Sequence, residues 1–336
     1  MTTTTTVTAT RPDHDGTNAV IHALYLNGFN AATAIPQPLT EQLSSTKPHW
    51  LHLDMNAPDS RRWLERSSGL SDIAVEGLLA AETRPRVVSR GDNLLLIVRG
   101  VNTNPGCDLD DMVSARIWTD GTRVISTQLR SLRSTNEVAV ALESGEGPNS
   151  IIELLIYWLT RIVERVDDAL DGLEDDVLTL EERALSGERS NLRADFARVR
   201  RQCITLRRYL APQREALTRL ASEPVSWLDD TSRLRLREIA DRQVRHVEAL
   251  DEIRERAAVA HEELVSQISE EMNERVYVLS IAAALFLPLG FFTGLMGINV
   301  GGMPGIDNPM GFWTVAGVCL LALLCLLIAF RVKRWM

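Results

Sequence analysis

Two stretches near the C-terminus carry no charged residue, one between Arg275 and Asp307 and the other between Asp307 and Arg331. Each exceeds the roughly 20 predominantly apolar residues that a helix needs to cross a bilayer. The pattern predicts a membrane hairpin over 276–330, with spans at about 276–299 and 310–330 and a connecting loop over 300–309. That loop has no Lys or Arg, whereas Arg275 precedes the first span and Arg331, Lys333 and Arg334 follow the second. Basic residues are retained on the cytoplasmic side, so both termini, including the basic segment 331–336, are expected in the cytoplasm and the loop outside.

The first span continues a much longer helix. Asp229 or Asp230 is placed to accept backbone N–H bonds at a helix start, and no Gly or Pro follows until Pro288. Leu250, Ile253, Ala257, Ala260, Leu264, Ile268, Met272 and Val276 recur at spacings of three or four, one apolar stripe running into the span. A helix reaching Asn299 would hold about 70 residues and measure on the order of 105 Å at 1.5 Å per residue. No small domain covers such a length, so its stripe must be buried by neighbouring helices or by copies of itself.

The rest of the chain reads as soluble. With 336 residues, 45% of them apolar, it can bury a sizeable core. Residues 1–16 form a Thr-rich tail, expected to be disordered, without the basic and apolar regions of a secretory signal. Residues 17–148 show short strand-like runs broken by turns, an α/β pattern in which Arg90-Gly91-Asp92-Asn93 and Asp120-Gly121 suit hairpins. Residues about 61–70 and 71–81 look helical. Residues 149–275 read as a helical hairpin followed by the stalk. Ser150 and Glu153 have capping-box spacing before the first of these helices, which Gly187 stops. Its second half is acidic and the next helix, from Ser190, is rich in Arg, opposite charges that suit an antiparallel hairpin; the acids read either as a solvated face or as metal-sensing or cation-attracting groups.

A net charge of −9 argues against a nucleic-acid partner, since phosphate binding needs a basic surface. No phosphate loop, GxSxG or HExxH is present, and an enzyme is not expected. Cys107, Cys203, Cys319 and Cys325 show no CxxC spacing; they read as buried small hydrophobes. His49 and His52 fall three apart in a strand, on opposite faces, and make no local chelate.

Within the first span, Pro288 removes one helical hydrogen bond, and Gly290 and Gly294 put two small residues on one face for close helix approach. One hairpin encloses nothing, so a pore requires several chains around an axis. The segment Pro288-Leu-Gly-Phe-Phe-Thr-Gly-Leu-Met-Gly297-Ile298-Asn299, followed by a Gly-rich loop and a second span with a basic end, resembles the two-transmembrane GxN type of the CorA metal ion transporter superfamily. Ile298 gives the GIN form of its ZntB-like zinc-transporting branch. The loop 300–305, Glu82-Thr-Arg-Pro-Arg86 and Asp111-Met-Val-Ser are similar to that branch as well. The resemblance implies a homopentamer with an α+β cytoplasmic funnel domain, a long helical stalk and a two-helix transmembrane hairpin in the bacterial inner membrane. It also implies zinc movement, as uptake linked to the proton gradient; magnesium or cobalt passage and zinc efflux are the alternatives. No cofactor is expected beyond the transported cation.

The first span offers no Cys, His or carboxylate, so no protein group is expected to bind the metal directly. Several copies of Asn299 would instead offer amide oxygens to the waters of a hydrated cation. Counting back in helical steps, Leu295, Phe291 or Gly290, Leu287, Ala283 or Ala284, Ser280 and Val276 are the candidate pore-lining positions. Asp307, the one charge in the loop, is either a mouth carboxylate that attracts cations or a turn residue before Asn308-Pro309.

Overall fold

The computed structural model describes residues 19–26, 32–34, 47–104, 106–108, 111–188, 190–297 and 309–332. The chain divides into two compact units, 1–260 and 261–336.

The first unit is built on a seven-stranded mixed sheet in the order β2-β1-β3-β7-β6-β5-β4. Its strands are β1 (Val20–Tyr25), β2 (Thr33–Ala34), β3 (His49–Asp54), β4 (Arg86–Arg90), β5 (Asn93–Gly100), β6 (Val113–Thr119) and β7 (Arg123–Gln128). Neighbours are antiparallel except β3 and β7, which run parallel with Trp50 opposite Val124 and Leu51 opposite Ile125. The two expected tight turns join β4 to β5 and β6 to β7, with Gly91 at φ 60° and Gly121 at φ 84°. Only a residue without Cβ takes these angles without strain.

Strand side chains alternate between faces, and here both faces are covered. Trp50, Leu94, Leu96, Val98, Ile117 and Val124 join one buried cluster with Val138 of α3 (Arg133–Ser144), Leu154 and Trp158 of α4 (Ile151–Leu185), and Leu217 of α5 (Leu192–Leu220). Leu236 and Ile239 of α6 (Asp230–Met296) belong to the same cluster. The intervening residues Leu51, Leu53, Leu95, Trp118 and Ile125 pack with Trp63 and Leu64 of α1 (Pro58–Arg66) and Leu78 of α2 (Asp72–Leu79). Double coverage explains why β5 reads Leu-Leu-Leu-Ile-Val rather than as an alternating strand.

The Ser150 half of the capping box closes as its spacing predicts, while Glu153 reaches one residue further back, to Asn149 rather than to the Ser150 amide. Ser150 Oγ accepts from the Glu153 amide at 3.3 Å, and Glu153 Oε2 accepts from the Asn149 amide at 3.0 Å. At the start of α6, Asp229 Oδ1 accepts from the Ser232 amide at 2.8 Å.

Two expectations are corrected. Acids of α4 pair chiefly with α6: Asp167 with Arg242 at 2.5 Å and Glu181 with Arg256 at 2.6 Å. Between α4 and α5 themselves, Arg183 holds Asp195 at 3.2 Å and Asp176 stands 3.7 Å from Arg198, while Arg193, Arg200 and Arg201 are exposed. Among the cysteines, Cys203 is buried, and burial raises its thiol to about 11. Cys107 is exposed because it lies in the β5–β6 loop, and Cys325 is exposed on α7 (Gly311–Val332) with Cys319 half-buried.

Candidate transmembrane site

The second unit holds the C-terminal part of α6 and the whole of α7. In lipid, every backbone amide needs an internal partner, which a helix supplies. Both helices contain an 18-residue apolar window of which no residue is buried. A soluble core helix would be covered by its own chain. These two present apolar surface on most sides, as lipid or further copies of the chain require.

Coverage is uneven in a way that orients α6. Ile281, Ala282, Leu285, Leu289 and Phe292 are half-buried and follow helical spacing along one side. On α7, Val315, Ala316, Cys319, Leu323, Leu326 and Phe330 form the matching half-covered side. One shielded stripe on each helix is the pattern of two helices lying side by side.

The candidate pore-lining positions Val276, Ser280, Ala283, Ala284, Leu287, Gly290, Phe291 and Leu295 are all exposed. By the 3.6-residue period most of them lie on the far side of α6 from its half-covered stripe, with Leu295 nearest its edge. Leu287 is 74% and Phe291 73% exposed, but Phe286, which was not a candidate, is 70% exposed. Exposure in one chain therefore separates the shielded side from the open one without ranking residues within the open side.

Pro288 sits inside α6 without ending it. It has no N–H to give the carbonyl four residues earlier, that of Ala284. Two hydroxyls of this span are turned to their own backbone: Ser280 Oγ donates to the Val276 carbonyl at 2.8 Å, and Thr293 Oγ1 to the Leu289 carbonyl at 2.9 Å. With the hydrogen so engaged, each hydroxyl oxygen can only accept further bonds. An acceptor suits the outward-pointing hydrogens of a cation's water shell. A Cβ added at Gly290 or Gly294 would meet nothing within 4 Å, so the single chain does not fill the small-residue face.

The Gly297 amide donates to the carbonyls of Thr293 at 3.0 Å and Gly294 at 3.1 Å, tightening the last turn. Ile298, Asn299 and Asp307 lie outside the described residues. Among the described residues, no group of three or more His, Cys, Asp or Glu side chains is placed to hold a metal ion.

In the first unit, His49 and His52 are both buried, and each has its own surroundings. His49 Nδ1 contacts the Lys47 carbonyl at 2.9 Å, while His52 bonds Ser126 Oγ at 2.8 Å and Gln128 Oε1 at 3.0 Å. Sequence spacing alone missed a contact between α4 and α6, in which His246 Nε2 lies 2.6 Å from Asp167 Oδ1. Their separation of 79 residues leaves no local signature.

Comparison with known proteins followed the same lines. A family profile described as CorA-like Mg2+ transporter protein matches residues 45–334. The divalent cation transporter CmaX of Pseudomonas aeruginosa is 40% identical over 298 residues, 85% of this chain and 87% of its own. The zinc transport protein ZntB of Pectobacterium carotovorum is 36% identical over 299 residues, 88% of this chain and 90% of its own. The solved structure of full-length CmaX superposes with a TM-score of 0.84 at 36% identity, covering 96% of this chain and 100% of that one.

Proposed function

This chain belongs to the CorA-like transporter family, whose profile spans nearly all of its folded length, and on that premise we propose that it carries divalent metal cations, zinc among them, across the bacterial inner membrane. The observation that carries the reading is the open side of the first membrane helix. It has no charged or chelating side chain, its Ser280 hydroxyl oxygen is left as an acceptor, and the sequence Gly297-Ile298-Asn299 follows it. Such a surface suits an ion that keeps its water shell, because no protein group there could replace the first-shell ligands.

The pore in this reading is shared by five copies, each contributing α6, with Asn299 at its outer end and Leu287 as an apolar constriction that dewets when closed. Five is the number implied by the family resemblance; the need for several copies follows from the uncovered faces of one hairpin. Arg275 and the basic segment after Arg331 hold both termini in the cytoplasm. Asp307 gathers cations at the mouth. Zinc is favoured by Ile298 and by similarity to proteins named for zinc transport. Neither span contains Asp, Glu or His to relay protons, so linkage of uptake to the proton gradient rests on the resemblance.

The test is reconstitution in liposomes with an internal zinc indicator, with and without an inward proton gradient, comparing wild type and Asn299→Ala. Zinc influx that rises with the gradient and falls in the variant supports the whole reading. Influx indifferent to the gradient removes proton linkage alone. Magnesium influx with the same dependence on Asn299, and none for zinc, replaces the cargo and leaves the pore assignment standing.

A further inference from the structure

The segment Thr83-Arg84-Pro85-Arg86-Val87 is alternately buried and exposed, with Thr83, Pro85 and Val87 inside. This period of two puts Arg84 and Arg86 on one side of an extended chain. Pro85 keeps Arg84 out of the helical region. Both arginines border a cavity of about 750 Å³ whose remaining lining residues are Glu82, Thr83, Arg99, Arg208 and Tyr209. Four arginines thus face one glutamate, in a chain whose net charge is −9.

Arg99 is fixed in place by neutral groups. Its Nη2 donates to the Thr83 carbonyl and its Nη1 to the Met112 carbonyl, each at 2.9 Å, and its guanidinium lies 4.2 Å from the centre of the Tyr209 ring. Arg208 rests 4.8 Å from the same ring centre and donates to Tyr209 Oη at 2.5 Å. Carbonyls and a phenol satisfy these N–H groups without cancelling the charge. Among the described residues, none of the four arginines forms an ion pair with a carboxylate. Burial holds Arg99 below its ordinary value, with the Arg130 and Arg208 charges acting in the same direction and Tyr209 and Asp111 opposing it.

We propose that this cavity binds a small phosphate-bearing anion, with Arg84 and Arg86 at the β4 edge on one side and Arg99 and Arg208, from β5 and α5, on the other. The exposed Arg84 and Arg86 present guanidinium forks that match the oxygens of a phosphate in pairs, while Arg99 and Arg208, partly engaged by carbonyls and the phenol, add positive charge, and a cavity of this size suits more than one phosphate group. Chloride offers no paired oxygens and fills a small fraction of the space. A bound anion bridges the sheet edge to α5.

Calorimetry on the full-length chain in detergent, with chelator present to remove divalent cations, tests this with pyrophosphate, inorganic phosphate and chloride at matched ionic strength. Pyrophosphate is expected to bind once per chain. The Arg84→Gln/Arg86→Gln double variant, whose altered side chains are exposed, is expected to weaken binding about tenfold or more, or ~1.4 kcal/mol, with an unchanged melting temperature. A soluble short-chain phosphatidic acid distinguishes sources: tighter binding than pyrophosphate assigns the site to a lipid headgroup phosphate, weaker binding to a free phosphate compound. Pyrophosphate heats no larger than those of chloride, or wild-type affinity in the double variant, overturn the proposal.

Discussion

His246 on α6 and Asp167 on α4 meet at 2.6 Å, and the same carboxylate holds Arg242 at 2.5 Å. The His246 side chain is 3% exposed, and its other ring nitrogen has no partner. Removing the carboxylate would leave a buried imidazole with no hydrogen bond and a guanidinium without its nearest counter-charge. Asp167→Ala is therefore expected to destabilise the first unit by about 1–3 kcal/mol. Thermal or urea unfolding of the variant checks this; an unchanged midpoint would show that water replaces the carboxylate without loss.

Four histidines of the first unit share one electrostatic tendency. His22, His49, His52 and His246 are all held below the ordinary value of 6.5, chiefly by burial, and His52 is pushed down to about 3. The unfolded chain takes up protons near 6.5 that the folded chain refuses, so stability is full above that value and declines as pH falls below it. For His52 the loss continues down to about 3. Melting temperature is expected to drop between pH 7 and 5, a window above most carboxylate titration. In His52→Gln the drop should be shallower; an equal slope would sink the assignment to His52.

Gly294 faces open space in the single chain, so a larger side chain there has no intrachain clash to fear. Gly294→Leu is expected to leave the melting of the first unit unchanged and to break the assembly of copies, because close helix approach depends on the missing side chain. Native mass spectrometry or cross-linking in detergent reads the copy number. An intact oligomer in the variant would place the contact between copies on another face.

Pro288→Ala returns an N–H opposite the Ala284 carbonyl. Zinc flux is expected to fall while the protein inserts and assembles normally. Flux equal to wild type would show that the freed carbonyl has no part in permeation.

Much of this was legible in the sequence, for physical reasons that differ by element. The absence of Gly and Pro from Asp230 to Pro288, with charge-free stretches beyond, fixes α6 and α7 through local rules of backbone and hydration. Gly91 and Gly121 mark their hairpins because glycine takes positive φ without steric cost. Long-range partnerships were hidden. Arg116 is 2% exposed and bonded to the carbonyls of Ala80 and Ala81, a burial that no pattern around residue 116 announces. The acids of α4 were read against the nearest basic helix in sequence, yet Asp167 and Glu181 find theirs on α6. At the transmembrane site, the candidate positions are exposed together with neighbours such as Phe286 that were not candidates, and Asn299 and Asp307 lie outside the described residues.

The parallel pairing of β3 with β7 has a consequence for synthesis. His49–Asp54 leaves the ribosome early but cannot take its place in the sheet until Arg123–Gln128 has followed, so the antiparallel strands β4 to β7 can form first. From Gln128 to Val276 about 150 residues intervene, roughly 7–30 s of elongation at ~5–20 residues per second. The sheet can thus be complete while the first membrane span is still unmade. A nascent chain of this kind settles its aqueous fold first and reaches the insertion machinery as a nearly finished protein.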